Sequence, residues 1–304
     1  MIGVKKLIVQ VNGRDLALTN LNKLYWPDDG LHKRDLINYY TGMAPYLLPH
    51  LRDRPFTLVR YPEGIAGEFF YQKECPEHAP DWVQRIPVSV DGGDKRINFV
   101  LCNDLPTLVW LANLGCVEVH TWASRIGNLE NPDFAVFDLD PAPPATFQDA
   151  LEVALLIRGV LAEFGLMGCP KTSGATGFHI NVPLKPVYSF EQVRLAVQYV
   201  ARLLVRVYPQ RCTVERAVSK RQGKVYIDYL QNGRAKTMAF VYSLRPRPGA
   251  PVSTPVTWQE VENGLDPVSF NIRSVPKRVA LLGDLYAPLR EESSQELDAI
   301  LKLC

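Results

Sequence analysis

The chain has 304 residues, 47% hydrophobic and 22% charged, which is the composition of an ordinary globular protein with a sizeable core. Its net charge of +2 says little, but nine basic residues against two acidic ones between Arg211 and Arg247 form a local basic field. The N-terminal apolar run is too short for a signal peptide, no stretch of about 18 residues could span a bilayer, and the six cysteines are scattered, so we expect a cytoplasmic protein with no membrane segment.

The predicted elements follow one another without the strict β-α-β alternation of a doubly wound fold. A strand at 5–11 and a polar segment precede an amphipathic helix from about Lys33 to Leu48. The remaining elements are, in chain order, strands PFTLVRY and GEFFYQK, a helix at about 105–114, strands CVEVHTW and FAVFDLD, a helix capped by Thr146 and Asp149, strand GFHINVPL, a helix capped by Ser189 and Gln192, strands KVYIDYL and AKTMAFVYS, and short helices after a Pro-rich loop. The pattern predicts an α+β fold with a mainly antiparallel or mixed sheet, in one domain over 1–304.

Two aspartates in the strand FAVFDLDP carry the strongest chemical signal. Asp138 and Asp140 are two positions apart, so their side chains point to the same face, where a divalent cation would relieve their repulsion. Asp228 lies in the alternating run KVYIDYL, which could lie beside the first strand. Three carboxylates can hold the two cations of phosphoryl transfer. For the Asp-x-Asp pair alone, a turn or a solvated strand edge is an equal alternative.

The segment KTSGATGFHI could cradle a triphosphate. We expect the backbone N–H groups of its small residues, Ser173, Gly174 and Gly177, to face an anion, and His179 follows at the start of a strand. A plain turn is the commoner meaning of Gly-x-x-Gly. No Gly-x-x-x-x-Gly-Lys-Ser/Thr sequence is present, which disfavours a P-loop NTPase.

Three other side chains are candidates for ligand contacts. His120 ends an apolar strand, where a histidine satisfied by a backbone carbonyl is the simpler interpretation. Phe69 and Phe70 are adjacent and must face opposite sides of a strand, so we expect at least one in the core and the other available to stack on a base.

Seven segments in order over nearly the whole chain resemble the polymerase domain of bacterial and archaeal ligase D-type repair proteins, within the archaeo-eukaryotic primase superfamily. They are RPFTLVRYPEG, FFYQKECPEHAPDW, CVEVHTWASR, FAVFDLDP, KTSGATGFHINVPL, KVYIDYLQNGRAKT and YSLRPRPGAPVSTPVTW. The resemblance implies a primase-like catalytic core with two mainly antiparallel or mixed sheets that meet at the active cleft and are flanked by helices. It also implies template-directed nucleotidyl transfer at broken DNA ends in non-homologous end joining, with Mn²⁺ or Mg²⁺ and a preference for ribonucleotides.

The resemblance also assigns roles to individual positions. The metal-binding aspartates are Asp138, Asp140 and Asp228. The nucleotide-contacting positions are His120, Ser173, His179 and Arg245, with Arg245 suited to bind the triphosphate bidentately.

The positions that would bind DNA come from both halves of the chain. The N-terminal part, about 1–60, would carry the pocket for a downstream 5′-phosphate, and the catalytic core would span about 61–304. The resemblance places this pocket at Asn20, Lys23 and Lys33. Phe69 or Phe70 would stack near the templating base, and Arg60 and Arg221 would hold DNA.

The implied partners are gapped or broken DNA, nucleoside triphosphates, Ku and a separate DNA ligase. We expect a separate ligase because no nucleotidyl-lysine ligase motif or nuclease segment occurs before Cys304, and we expect the protein at the nucleoid. The alternatives are a primase or general gap-filling polymerase, an Asp-x-Asp glycosyltransferase, and an inert DNA-end-binding module. The 5′-phosphate pocket separates the first of these from an end-joining enzyme, while Asp228 and the basic segment argue against the glycosyltransferase.

Overall fold

The computed structural model describes residues 6–89, 95–290 and 295–304, so Lys5, the predicted start of the first strand, lies outside the described residues. The chain forms two compact units. Unit 1 contains the described residues of Met1–Thr121, Met238–Val252 and Val268–Gly283, and unit 2 contains those of Trp122–Thr237, Ser253–Pro267 and Asp284–Cys304. The prediction of one domain with a boundary near residue 60 stays a prediction.

The elements alternate along the chain as an α+β fold. The strands are β1 (Lys6–Val11), β2 (Arg14–Thr19), β3 (Leu24–Trp26), β4 (Leu31–His32), β5 (Pro55–Arg60), β6 (Phe70–Gln72), β7 (Arg85–Ser89), β8 (Arg96–Leu101), β9 (Cys116–Thr121), β10 (Phe134–Pro141), β11 (Cys169–Thr172), β12 (Phe178–Pro183), β13 (Cys212–Thr213), β14 (Val225–Asp228) and β15 (Met238–Ala239). The helices are α1 (Lys33–Leu51), α2 (Leu105–Asn113), α3 (Phe147–Glu163), α4 (Phe190–Val207), α5 (Trp258–Asn263), α6 (Val275–Leu282) and α7 (Asp298–Leu301).

Within the described part of unit 1, an antiparallel sheet has the order β15-β9-β5-β8-β7, with β6 also paired to β5. Helix α1 buries an apolar stripe that includes Leu36 and Leu47. On the same helix, the Tyr40 hydroxyl donates to the Val117 carbonyl at 2.6 Å and accepts from the Leu244 N–H at 3.1 Å. These bonds fix β9 and the segment after β15, which carry His120 and Arg245.

Within the described part of unit 2, the sheet has the order β11-β12-β10-β14-β13. All its pairs are antiparallel except β13 with β14. Helices α3 and α4 pack on the central strand β10, which is buried from Phe134 to Leu139. The prediction that Asp228 lies on a strand beside Asp138 is confirmed, because β14 pairs with β10.

Local signals predicted the helices well. The predicted helix from Lys33 ends at Leu51, and capping boxes at Thr146 with Asp149 and at Ser189 with Gln192 begin α3 and α4 as expected. In the described residues, no helix has both the length and the apolar character that crossing a membrane requires.

The predicted strand AKTMAFVYS is wrong over most of its length, since only Met238 and Ala239 are extended in a sheet. The chain turns immediately afterwards. The Ser243 N–H donates to the Phe240 carbonyl at 3.2 Å, and Tyr242 has a left-handed φ of 60°, which a strand cannot accommodate.

Candidate active site

Three carboxylates lie together on the sheet of unit 2. Asp138 on β10 is directly opposite Asp228 on β14, and Asp140 follows two positions later on the same strand. Residues opposite each other on antiparallel strands share a face, as do residues two apart along a strand. The sequence pattern therefore predicted a real juxtaposition, and β12 places His179 opposite Asp138 on its other side.

Burial and mutual repulsion disfavour full ionisation of these carboxylates. Burial, followed by the charge on Asp138, raises the pKa of Asp140 to about 6. The same two causes, in the same order, raise the pKa of Asp228. The Asp228 carboxylate also accepts hydrogen bonds from the Tyr226 hydroxyl at 3.1 Å and from the Leu230 N–H at 3.0 Å. A cation beside these groups would stabilise their charged forms.

The donor chemistry fits a hard divalent cation, because oxygen ligands from several carboxylates are what Mg²⁺ and Mn²⁺ prefer. In the described residues, no three His, Cys, Asp or Glu side chains are already grouped so that they could hold a metal ion. Asp138 is instead engaged by His179, and Asp228 by Tyr226 and Leu230. The fit to a cation therefore rests on the chemistry of the oxygen donors.

His179 belongs to a buried polar chain that runs away from the carboxylates. Its Nε2 lies 3.1 Å from Asp138 Oδ1 and its Nδ1 lies 2.8 Å from Lys171 Nζ. Lys171 is completely buried and donates to Ser253 Oγ at 2.6 Å, while the Ser253 hydroxyl donates to the Thr172 carbonyl. A lysine ammonium only donates, so when Lys171 is charged Nδ1 accepts from it and the Nε2–H faces Asp138.

The Gly-rich loop between β11 and β12 is closed by its own hydrogen bonds. Ser173 Oγ accepts from the N–H groups of Ala175 and Gly177, and the Ser173 N–H donates to the Gly177 carbonyl. The expectation that the N–H groups of Ser173 and Gly177 face an anion is therefore wrong for this arrangement. A Cβ at Gly177 would come 2.7 Å from the Leu139 carbonyl oxygen and 3.1 Å from Asp140 Oδ1, so the loop lies against the carboxylate strand.

Arg221 is close to the same carboxylates. Its guanidinium lies over the Tyr226 ring, 3.6 Å from the centroid, and donates to the carbonyls of Glu215 and Arg216. Its positive charge partly opposes the rise in the pKa of Asp140 that burial and Asp138 cause. Arg221 is thus held in place by stacking and backbone contacts.

In unit 1, the predicted nucleotide contacts His120 and Arg245 lie on either side of a buried carboxylate, Glu118. Arg245 Nε lies 2.6 Å from Glu118 Oε1, and His120 Nε2 lies 3.5 Å from Glu118 Oε2. His120 is only 6% exposed and Glu118 only 4%. The histidine is therefore part of an ionic cluster rather than a simple core residue.

Aromatic side chains lie beside this cluster in unit 1. Phe69 stacks on Tyr61 with centroids 5.2 Å apart, and Tyr71 contacts His120 edge-on at 6.0 Å. Phe69 is 52% exposed and Phe70 43% exposed, so the expectation that at least one is in the core is wrong. Strand β6 is at the margin of its sheet, which leaves both rings at the surface.

The predicted phosphate pocket gathers like charges in unit 1. Burial first, and then the charges of Lys23 and Arg60, lower the pKa of Lys33 to about 8. Lys33 Nζ donates to the Thr19 carbonyl, and Lys23 Nζ donates to Glu63 and to the Pro62 carbonyl. Asn20 is exposed, has a left-handed φ of 54°, and accepts from the Lys23 N–H. An anion would offset the repulsion among these cations.

Sequence reasoning missed Lys171, Ser253, Tyr226 and Glu118. Glu118 had a usable signal, since it is two positions before His120 on one strand and so faces the same side. The contact between Lys171 and Ser253 had no sequence signal, because 82 positions separate the two residues along the chain.

Comparisons with known proteins identify relatives of this chain. A family model described as LigD, primase-polymerase domain, matches residues 32–286. The chain is 35% identical over 291 residues to the bifunctional non-homologous end joining protein LigD of Bacillus subtilis and 34% identical over 270 residues to the multifunctional LigD of Pseudomonas aeruginosa. It covers 46% and 32% of those proteins, and the matches span 94% and 88% of this chain, so it spans less than half the length of these relatives.

A solved structure is also similar: the polymerase domain of Mycobacterium tuberculosis ligase D in complex with DNA. The TM-score is 0.85 with 33% sequence identity, over 90% of this chain and 98% of that one.

Proposed function

The chain belongs to the LigD primase-polymerase family, and from this membership we propose that it fills gaps and extends ends at DNA double-strand breaks in non-homologous end joining. As a member it is a primase-like nucleotidyltransferase. The observation that carries the proposal is the set of three aspartates, Asp138, Asp140 and Asp228, on one face of the unit 2 sheet.

These aspartates are the proposed metal ligands, and Mn²⁺ or Mg²⁺ the proposed ions. A bound pair of divalent cations would activate the primer 3′-hydroxyl and neutralise the leaving pyrophosphate. The raised pKa of Asp140 supports the assignment, because buried carboxylates that repel each other favour a cation. His179, held between Asp138 and Lys171, would keep the Asp138 carboxylate oriented.

Within unit 1 the proposed nucleotide contacts are His120 and Arg245, and within unit 2 they are Ser173 and His179. A guanidinium binds phosphate oxygens bidentately, which suits Arg245 to the triphosphate. Hydroxyl and imidazole groups can hydrogen-bond a ribose 2′-hydroxyl, so a preference for ribonucleotides is part of the proposal.

DNA is the proposed second substrate. Lys23 and Lys33, with Asn20, would bind a downstream 5′-phosphate, and the low pKa of Lys33 supports an anion site. The remaining proposed DNA contacts are Arg60, Phe69, Phe70 and Arg221. Exposure of both phenylalanine rings supports base stacking. Ku and a DNA ligase are the proposed protein partners, and the cytoplasmic nucleoid is the proposed location.

The test is primer extension on a gapped, 5′-phosphorylated duplex, with ribo- and deoxyribonucleoside triphosphates compared in Mn²⁺ and in Mg²⁺. We expect templated addition that is faster with ribonucleotides. Asp138→Asn should reduce addition by at least about a hundredfold while DNA binding persists, because phosphate contacts elsewhere hold the DNA. Glu163→Gln, an exposed carboxylate of unit 2, is the control that should leave addition unchanged. Undiminished addition by Asp138→Asn would contradict the metal assignment.

A further inference from the structure

We infer that Glu118 is a positioning residue for triphosphate binding, because its buried carboxylate holds Arg245 and His120 in fixed directions. The inference rests on the proposed function, in which those two side chains contact the nucleotide. The inference places a negatively charged residue, Glu118, in a site that must attract a negatively charged triphosphate.

Each oxygen of the carboxylate has its own cationic or polar neighbour. Glu118 Oε1 lies 2.6 Å from Arg245 Nε and Oε2 lies 3.5 Å from His120 Nε2. The Glu118 side chain is 5% exposed, whereas that of Arg245 is 22% exposed. The carboxylate is therefore inside the unit, and the arginine reaches from it toward solvent.

The ionic contacts outweigh the cost of burying the charge. Burial on its own raises the pKa of a carboxyl group, yet the pKa of Glu118 is lowered because His120 and Arg245 stabilise its charged form. A buried carboxylate with such neighbours is strongly coupled to them, and removing it takes away the counter-charge that Glu118 provides to Arg245.

The ion pair at Nε limits how the arginine head group can turn. A guanidinium is planar with its N–H groups in a rigid fork, so an ion pair at Nε restricts the directions in which the two terminal nitrogens can point. The Arg245 backbone is fixed as well, since its N–H donates to the Pro251 carbonyl at 2.8 Å. Ordering the side chain before the ligand arrives reduces the entropy that binding must overcome.

The sign of the effect separates positioning from simple electrostatics. Removing a negative charge near a polyanion should strengthen binding if only net charge matters. If Glu118 acts by orienting Arg245 and His120, its neutralisation should weaken binding. The two ideas thus predict opposite outcomes for Glu118→Gln.

The experiment is a titration of GTP with Mn²⁺ into wild type, Glu118→Gln, Arg245→Gln and the double variant. We expect Glu118→Gln to weaken binding roughly tenfold, the size expected for a charged hydrogen-bonded contact. The double variant should lose less affinity than the product of the two single losses, because Glu118 acts partly through that arginine. Glu77→Gln, an exposed glutamate of unit 1, removes the same charge and should leave affinity unchanged.

Equal or tighter binding by Glu118→Gln, or losses that multiply in the double variant, would overturn the inference. Thermal unfolding of each variant checks that it is folded. If Glu118→Gln does not fold, Arg245→Lys replaces it in the experiment. Lysine keeps the positive charge but lacks the planar fork of N–H groups. Positioning therefore predicts weaker GTP binding by Arg245→Lys, whereas a pure charge effect predicts unchanged GTP binding. Failure of the wild type to bind GTP would instead refute the proposed function itself.

Discussion

At the scale of single residues, the properties of the site come from charges that the fold forces together. Asp138 and Asp228 are opposite each other, and Asp140 shares their face. The repulsion destabilises the folded chain unless a cation is present. Lys33 is the corresponding case with positive charge, because this buried cation lies near the charges of Lys23 and Arg60. In both places the repulsion lowers the free energy of unfolding, and a bound ion of opposite charge would raise it again.

Mn²⁺ should therefore stabilise the protein against unfolding. A ligand that binds the folded state adds about 2.7 kcal/mol to the free energy of unfolding at a hundred times its Kd. We expect urea unfolding in Mn²⁺ to show this gain for the wild type, and EDTA to abolish it. Asp140→Asn should gain much less, whereas Glu163→Gln should gain as much as the wild type. An equal gain for Asp140→Asn would place the ion elsewhere.

Lys33 should make stability rise with pH above 8. Its pKa is about 8 in the folded chain against a usual 10.5, so between these values the unfolded chain binds more protons and stability increases with pH. One group contributes at most about 1.4 kcal/mol per pH unit. Urea unfolding of wild type and Lys33→Met should be measured between pH 8 and 9.5. The free energy of unfolding should rise less steeply with pH, or fall more steeply, in Lys33→Met than in the wild type. Lys277→Met, an exposed lysine of unit 1, should keep the wild-type slope; identical slopes for all three would refute the assignment.

At the scale of elements, the loop from Ser173 to Gly177 carries one proposed nucleotide contact, Ser173, and lies against the carboxylate strand. Its internal hydrogen bonds give it a fixed shape, and Gly177 allows it to lie against Leu139 and Asp140. Helix α3 packs behind the same strand. The geometry of the site therefore depends on close backbone contact that only glycine permits at position 177.

Gly177→Ala should accordingly damage both stability and nucleotide addition. Its Cβ would meet a carbonyl oxygen at 2.7 Å, so β10 and the loop must separate. We expect a loss of roughly 1–3 kcal/mol in denaturant unfolding and a reduced rate of primer extension. Gly159→Ala is the matched control, because a Cβ there meets nothing within 4 Å and alanine favours a helix by up to about 1 kcal/mol. A harmless Gly177→Ala would show that the contact is not tight.

Elements fixed by local chemistry could be predicted from the sequence, and those fixed by distant contacts could not. The capping boxes that begin α3 and α4 depend on residues three positions apart, and alternation placed Asp138, Asp140 and Asp228 on strands. The turn after Ala239 depends on a left-handed Tyr242, which no local signal marked. Burial of Lys171 depends on Ser253, far along the chain.

At the scale of the whole molecule, both units are assembled from non-contiguous stretches, and each carries part of the proposed machinery. Unit 2 holds the carboxylates, whereas unit 1 holds Arg245 and the lysine pocket. The chain covers less than half the length of the curated relatives it matches. Membership of the family therefore does not by itself assign the activities of those longer proteins to this chain. The proposed 5′-phosphate pocket is the feature that would separate break repair from general priming.

If Lys23 and Lys33 bind a downstream 5′-phosphate, removal of that phosphate from a gapped duplex should weaken binding. The loss should shrink as salt rises, since the contact is electrostatic. Lys23→Ala with Lys33→Ala should cause the same loss on phosphorylated DNA and no further loss on unphosphorylated DNA. Addition to a simple primer-template should remain nearly intact, because the lysines are proposed to act on the downstream end alone.

Binding titrations on the four combinations of protein and DNA form a double-mutant cycle that measures the coupling between lysines and phosphate. Lys33 is nearly buried and is repelled by Lys23 and Arg60, so a phosphate should gain more from this pocket than from scattered surface lysines. Replacing exposed Lys277 should leave the phosphate effect intact. Coupling of roughly tenfold or more would support end recognition. If the two losses simply add, the lysines are an ordinary solvated patch, and a primase or general gap-filling polymerase becomes the better description of this chain.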